Sequence, residues 1–140
     1  MQTTLLLAFV FSGFLQQAPE ASQVAAENAA FSKIGAEKNL EARKKLVLTF
    51  EKNYPKSDYL PQVFMDLSRM LANSTDFANA KQYAEKAVST VARMKTEPSN
   101  SSRKQWLNSL DTSTKSNLAW VQQMTAWRDQ QLRSSVLGKR

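Results

Sequence analysis

Catalysis by side chains needs a nucleophile, a titrating base or a metal ligand, and this chain of 140 residues supplies few of them. It contains no cysteine and no histidine, which removes disulfides, thiolate nucleophiles and the common metal sites. A nucleophile would then have to be a serine activated by lysine, or the work would fall to paired carboxylates. Ser68 and Ser89 sit on regular helical faces, and nothing around either marks it as activated. Glu37 with Glu41, and Asp66 with its outward-facing neighbours, read as solvated helix surface. The sequence holds no glycine-rich phosphate loop and no clustered oxygen ligands of the calcium-binding kind. The expectation is a protein without catalytic activity, cofactor or metal, whose chemistry is that of binding.

The elements that must position any binding surface are helices. Residues 63–89 read as two amphipathic helices joined by a polar turn. On the first, Val63, Phe64, Leu67, Met70 and Leu71 recur at steps of three and four; on the second, Phe77, Ala80, Tyr83, Ala84, Ala87, Val88, Val91 and Met94 do the same. Between them, residues 73–76 (Asn-Ser-Thr-Asp) carry short polar side chains that compete with the helix backbone, so the first helix stops there and Thr75 or Asp76 caps the second. Small residues at 80, 84 and 87 let a neighbouring helix approach closely, while Phe64, Leu67, Phe77 and Tyr83 fill the space beside them. The pattern is an antiparallel helical hairpin.

At these residues the chain resembles a tetratricopeptide repeat. Phe64 stands at the family's large position, Leu67 and Ser68 at its Leu-small pair, Leu71 at the next inward position, and Ala80 and Ala87 at the small residues of the second helix. Ser68 replaces the usual glycine, Ala84 falls where the family prefers an aromatic, and the expected proline is displaced to Pro98. The string Phe50-Glu51-Lys52-Asn53-Tyr54-Pro55-Lys56-Ser57 is similar to the join between repeats in tetratricopeptide proteins of the bacterial envelope. The resemblance implies an all-α fold of antiparallel hairpins stacked as a short α-solenoid. It also implies a concave face that receives a protein or peptide partner. On that reading the contact residues are Gln62, Asp66, Arg69, Met70 and Asn73, with Trp106 or Trp120 as aromatic anchors.

Around the hairpin the chain divides into a leader, a helical domain and a tail. Within residues 1–20, an uncharged apolar run of about eleven residues from Leu5 to Leu15 has the length of a signal-peptide core and is too short to span a bilayer. Val24-Ala25-Ala26 offers the best small-x-small cleavage pattern, although no Lys or Arg precedes the run. The expected location is therefore periplasmic or secreted, with membrane contact only transient and through this segment. Residues 21–134 form the helical domain. A helix over 21–37 carries a weak stripe of Val24, Ala25, Ala29, Phe31 and Ile34, with Gly35 or Asn39 as its stop. A second over 40–54 turns Leu40, Ala42, Leu46, Val47, Phe50 and Tyr54 inward and ends at Pro55. Ser57 or Asp58 should cap the next helix, with Pro61 in its first turn. After a loop at 95–102, periodicity resumes at Trp106, Leu107 and Leu110, fades through 111–114, and returns at Leu118, Trp120, Val121, Met124 and Trp127. Residues 111–114 are either a break or a polar patch inside one helix. Trp106 and Trp120 are expected to pack on the preceding hairpin, and Trp127 to cap the open end of the stack. Residues 135–140 read as a frayed tail. Asn73-Ser74-Thr75 and Asn100-Ser101-Ser102 match a glycosylation acceptor in predicted loops.

A net charge of +7 raises a second reading, a basic helical protein that binds nucleic acid or anionic lipid. The lysines and arginines are spread from Lys33 to Arg140 with acids between them, and no aromatic-interleaved basic stripe gathers them. Nucleic acid is accordingly the weaker expectation. A third reading is a structural subunit whose exposed faces are covered by further repeats or a second copy.

Overall fold

A computed structural model describes residues 17–138, with side chains from Glu20 onward. The chain is all-helical over this range: α1 (Gln17–Ala36), α2 (Leu40–Asn53), α3 (Leu60–Asn73), α4 (Phe77–Met94) and α5 (Ser101–Leu137). The apolar run from Leu5 to Leu15 lies outside the described residues, and among those described no helix is long and apolar enough to cross a membrane.

The antiparallel pair α3–α4 is the largest helix–helix interface, as the spacing of its apolar residues predicts, and α4–α5 follows it. Val63, Phe64, Leu67, Leu71, Phe77, Ala80, Ala84, Ala87, Val91 and Met94 are all buried. The rings of Phe64 and Tyr83 meet at 6.0 Å, so Tyr83 provides aromatic volume beside Ala84. One feature departs from a simple amphipathic helix. Leu60, Pro61 and Met65 are buried as well, because α3 touches each of the other four helices.

The turn between α3 and α4 closes as a Schellman motif. Asp76 N donates to the Leu71 carbonyl and Thr75 N to that of Ala72, both at 2.9 Å, satisfying carbonyls that the helix end would leave open. The left-handed position is filled by Thr75, with φ of 66°, where a β-branched residue is strained and glycine is usual. Asp76 then caps α4, its side chain accepting from Asn79 N. Asn73, the acceptor of the first glycosylation tripeptide, is the last residue of α3, and Asn100 of the second is the N-cap of α5. Asn73 is thus helical, whereas Asn100 lies at the end of the loop, directly before α5.

Two other junctions differ from expectation. Asn39 caps α2, accepting from Ala42 N at 2.9 Å, while α1 stops earlier, at Ala36. Its last carbonyls are met from outside: Arg43 donates Nε to the Glu37 carbonyl at 2.8 Å and Nη2 to that of Gly35 at 2.9 Å. Neither Ser57 nor Asp58 caps α3, whose N-cap position falls on Tyr59 with no side-chain bond. Both side chains are engaged elsewhere. Ser57 donates to Glu27 of α1 and accepts from Tyr59 N, and the Asp58 carboxylate holds Arg103 of α5 at 2.7 and 2.9 Å. Pro61 does occupy the first turn of α3.

α1 docks through its C-terminal half. The Phe31 ring stacks on Tyr59 at 4.2 Å and Ile34 is buried, whereas Val24, Ala25 and Ala29 are exposed. α5 runs without a break through 111–114. The hydroxyls of Thr112, Ser113 and Thr114 bond back to carbonyls three or four residues earlier in the same helix. Thr114 is itself fully buried, so this polar stretch is part of the packed face. The helix also continues past Leu132 to Leu137, with Gly138 as C-cap, so residues 135–137, read from the sequence as tail, are helical.

Candidate functional site

The surface that the sequence points to lies between α3 and α5, and a chain of hydrogen bonds fixes how those helices face. Ser68, buried on α3, donates its hydroxyl to the Ala80 carbonyl of α4 at 2.7 Å. Its oxygen accepts from Nδ2 of Asn117 on α5 at 3.3 Å. Oδ1 of the same Asn117 accepts from Arg69 Nε at 2.9 Å. Every member is satisfied, and among the described residues no buried side-chain polar atom lacks a partner. Ser68 is thereby held as a structural hydroxyl at a crossing of three helices. Ser89 is exposed and bonds the Lys86 carbonyl.

Gln62, Asp66, Arg69 and Asn73 recur at i, i+4, i+7 and i+11 and so form a row along one side of α3. Gln62 donates to Asp66 at 2.8 Å, both half-buried, which leaves the carboxylate without a cationic partner among the described residues. Arg69 is anchored to Asn117 and still exposed; Asn73 is exposed at the last turn, and Met70 is half-buried.

The Arg69–Asn117 bond orients α5, since it turns the Asn117 side of that helix toward this row. Trp120 follows Asn117 by three residues, and Trp106 precedes it by eleven, close to three turns of about 3.6 residues. Both therefore lie on the side of α5 nearest α3. Trp120 is partly buried against the core. Trp106 is 41% exposed, with the Arg103 guanidinium 5.6 Å from its ring; it is not packed away as expected. Trp127, expected to cap the stack, is 56% exposed and belongs with the other two. Trp106, Ser113, Trp120 and Trp127 follow one another at seven-residue steps, which on a straight helix wind by only about 20° per step. That spacing sets Trp127 in line with Trp106 and Trp120.

Ion pairs brace the far side of α5. Asp111, half-buried, accepts from Lys115 at 2.9 Å and from Lys95, the C-cap of α4, at 3.2 Å. Hydrogen bonding to Lys115 is the main cause holding its carboxyl below the usual carboxylate range, against the opposing effect of burial. The bond from Asp58 likewise raises the Arg103 guanidinium pKa. Elsewhere Lys86 spans both oxygens of Glu51 at 2.8 Å, and Arg93 and Arg128 are spent on the carbonyls of Pro55 and Thr75. Several of the basic side chains are thus engaged where helices meet.

Compared with protein-family models, with curated proteins and with solved structures, the chain matches none at a significant level.

Proposed function

We propose that this protein is a non-catalytic scaffold of the tetratricopeptide type that binds a segment of another protein along the surface between α3 and α5. The observation that carries this reading is the tryptophan row of α5, two of its members exposed, running beside the polar row of α3. Large exposed aromatics next to an arginine and an unpaired carboxylate are the residues from which protein-binding hot spots are built. The order of packing supports the repeat-like part of the reading. Each helix lies against the next in sequence, and the odd-numbered helices α1, α3 and α5 also touch, as in arrays of helical pairs.

The apolar run ahead of the described residues supports export to the periplasm or beyond. The dispersal of lysine and arginine among ion pairs and carbonyls favours a protein partner over nucleic acid or anionic lipid, and no cofactor enters the proposal.

The test is capture from an envelope fraction, with the exported form as bait and the Trp106→Ala/Trp127→Ala variant beside it. A partner retained by the first and lost by the second, with unchanged helical circular dichroism, supports the surface. Equal capture by both removes it. Retention of nucleic acid that falls steeply with salt would favour the basic-protein reading instead. A mature N-terminus that keeps Met1 in native extracts would remove export.

A further inference from the structure

The face by which α1 packs continues past the point where its packing stops. Ile34 is buried and the Phe31 ring lies on Tyr59 at 4.2 Å. One turn earlier, Glu27 accepts from Ser57, and Asn28 accepts from the Tyr59 hydroxyl at 2.8 Å. Steps of three and four carry the same face from Ile34 and Phe31 to Glu27, Val24 and Glu20. There it parts from the rest of the fold. Val24 is 57% exposed, and between it and the α2–α3 turn lie two hollows, of about 570 and about 400 Å³, that share Val24, Glu27 and Tyr54 as walls. They join as one groove. Tyr54, the C-cap of α2, leans its ring on Phe50 at 5.0 Å, and Pro55 extends this apolar wall.

The charge of the groove is opposite to that of the chain, whose net charge is +7. Glu20 and Glu27 stand on the α1 wall, and among the described residues neither forms an ion pair. Across from them Asp58 is already matched by Arg103, and the exposed Lys56 is the one cation among the described residues that line either hollow. The two free carboxylates are seven residues apart, about 10.5 Å along the helix axis, with Val24 between them. An aliphatic stem that ends in a cation matches both parts of such a wall: its methylenes cross Val24 and Tyr54 while its head meets a carboxylate. In an extended chain rising about 3.3 Å per residue, two such side chains about three residues apart span the pair. Glu20 and Val24 are exposed, so the groove suits a segment passing along it rather than a small molecule, which its site normally encloses.

We propose that this groove binds an extended, lysine-bearing segment of a partner protein, with Glu20 and Glu27 receiving its cations. The groove shares no residue with the α3–α5 surface proposed above and does not depend on it.

Fluorescence anisotropy of a labelled alanine peptide with two lysines three residues apart tests this on the full chain. At about 100 mM salt the screening length of about 10 Å mutes the chain's overall positive charge and spares contacts inside the groove. The lysine peptide should bind, and the same peptide with glutamates in place of its lysines should not. Glu20→Gln/Glu27→Gln should weaken binding roughly tenfold, with helical circular dichroism unchanged because glutamine still accepts from Ser57. Lys56→Glu should tighten it. Trp106→Ala/Trp127→Ala should leave it unaltered, which separates this groove from the tryptophan surface. Absence of binding, equal binding of the glutamate peptide, indifference to the glutamine pair, or loss with the tryptophan pair would each overturn the proposal. So would spermidine that binds as tightly as the peptide and displaces it, since the occupant would then be a free polyamine.

Discussion

The Ser68 hydroxyl donates to the Ala80 carbonyl at 2.7 Å, tying α3 to α4 at a point where both residues are fully buried. A small residue at each of these positions allows close approach of the two helices; here one of them also bonds. Asn117 adds α5 to the same hydroxyl. Replacing Ser68 by Ala keeps the volume close and removes the link, leaving the Asn117 amide short of an acceptor. The expected loss is about 1–3 kcal/mol by urea unfolding. Asn117→Ala should cost a similar amount, and the double variant less than the sum, because both remove one network.

The assignment of faces on the central hairpin has a sharper test. Leu67 is fully buried, whereas Lys81 is exposed and reaches Glu85 only at 3.6 Å. Leu67→Asp should cost more than about 3 kcal/mol, since it buries a charge with no partner. Lys81→Asp should stay within about 1 kcal/mol. Thermal melts of the two variants side by side decide it: similar melting temperatures would mean that the faces are wrongly assigned.

Thr75 carries the opposite kind of prediction. Its left-handed backbone is held by the Schellman bonds and by Arg128 on its carbonyl, none of which needs the side chain. Thr75→Gly should therefore stabilise the protein by about 1 kcal/mol. A loss of stability in the same unfolding assay would show that the threonine side chain contributes something the backbone does not.

Acid sensitivity should trace in part to Asp111. Its carboxyl is held below the ordinary value of 3.8 by Lys115 and Lys95. A group whose folded pKa is depressed contributes stability above its unfolded pKa and loses it as pH falls through the folded one. Asp111→Asn should thus lower the melting temperature at neutral pH and narrow its gap to the wild type below about pH 3.8. A gap that stays constant across that range would detach the acid limb from Asp111.

How much of this was legible in advance depends on the range over which each interaction acts. The hairpin of α3 and α4 could be read because its apolar residues keep a helical period and its turn collects four polar residues in a row. The inward residues Val47 and Phe50 of α2 followed from the same rule. The continuity of α5 could not be read, since Asp111, Thr112, Ser113 and Thr114 resemble a turn until Lys95, from another helix, and the local carbonyls satisfy them. Ser57 and Asp58 failed as caps for a related reason: their partners, Glu27 and Arg103, lie 30 and 45 residues away. In the candidate site the row of Gln62, Asp66, Arg69 and Asn73 was visible as spacing. The anchoring of Arg69 to Asn117, 48 residues on, was not. The seven-residue step that aligns Trp127 with Trp106 and Trp120 was visible too, but its place near the chain's end pointed to a cap, whereas the residue is exposed.

The central place of α3 has a consequence for how the protein comes apart. Long arrays lose their terminal units one at a time, because each unit leans only on its neighbours and no single helix reaches them all. Here one rod is common to all four others, so its amides are sheltered until everything opens together. Hydrogen exchange should find the α3 backbone among the slowest in the molecule, at the full free energy of global unfolding, while the outer turns of α1 and α5 exchange by local fraying.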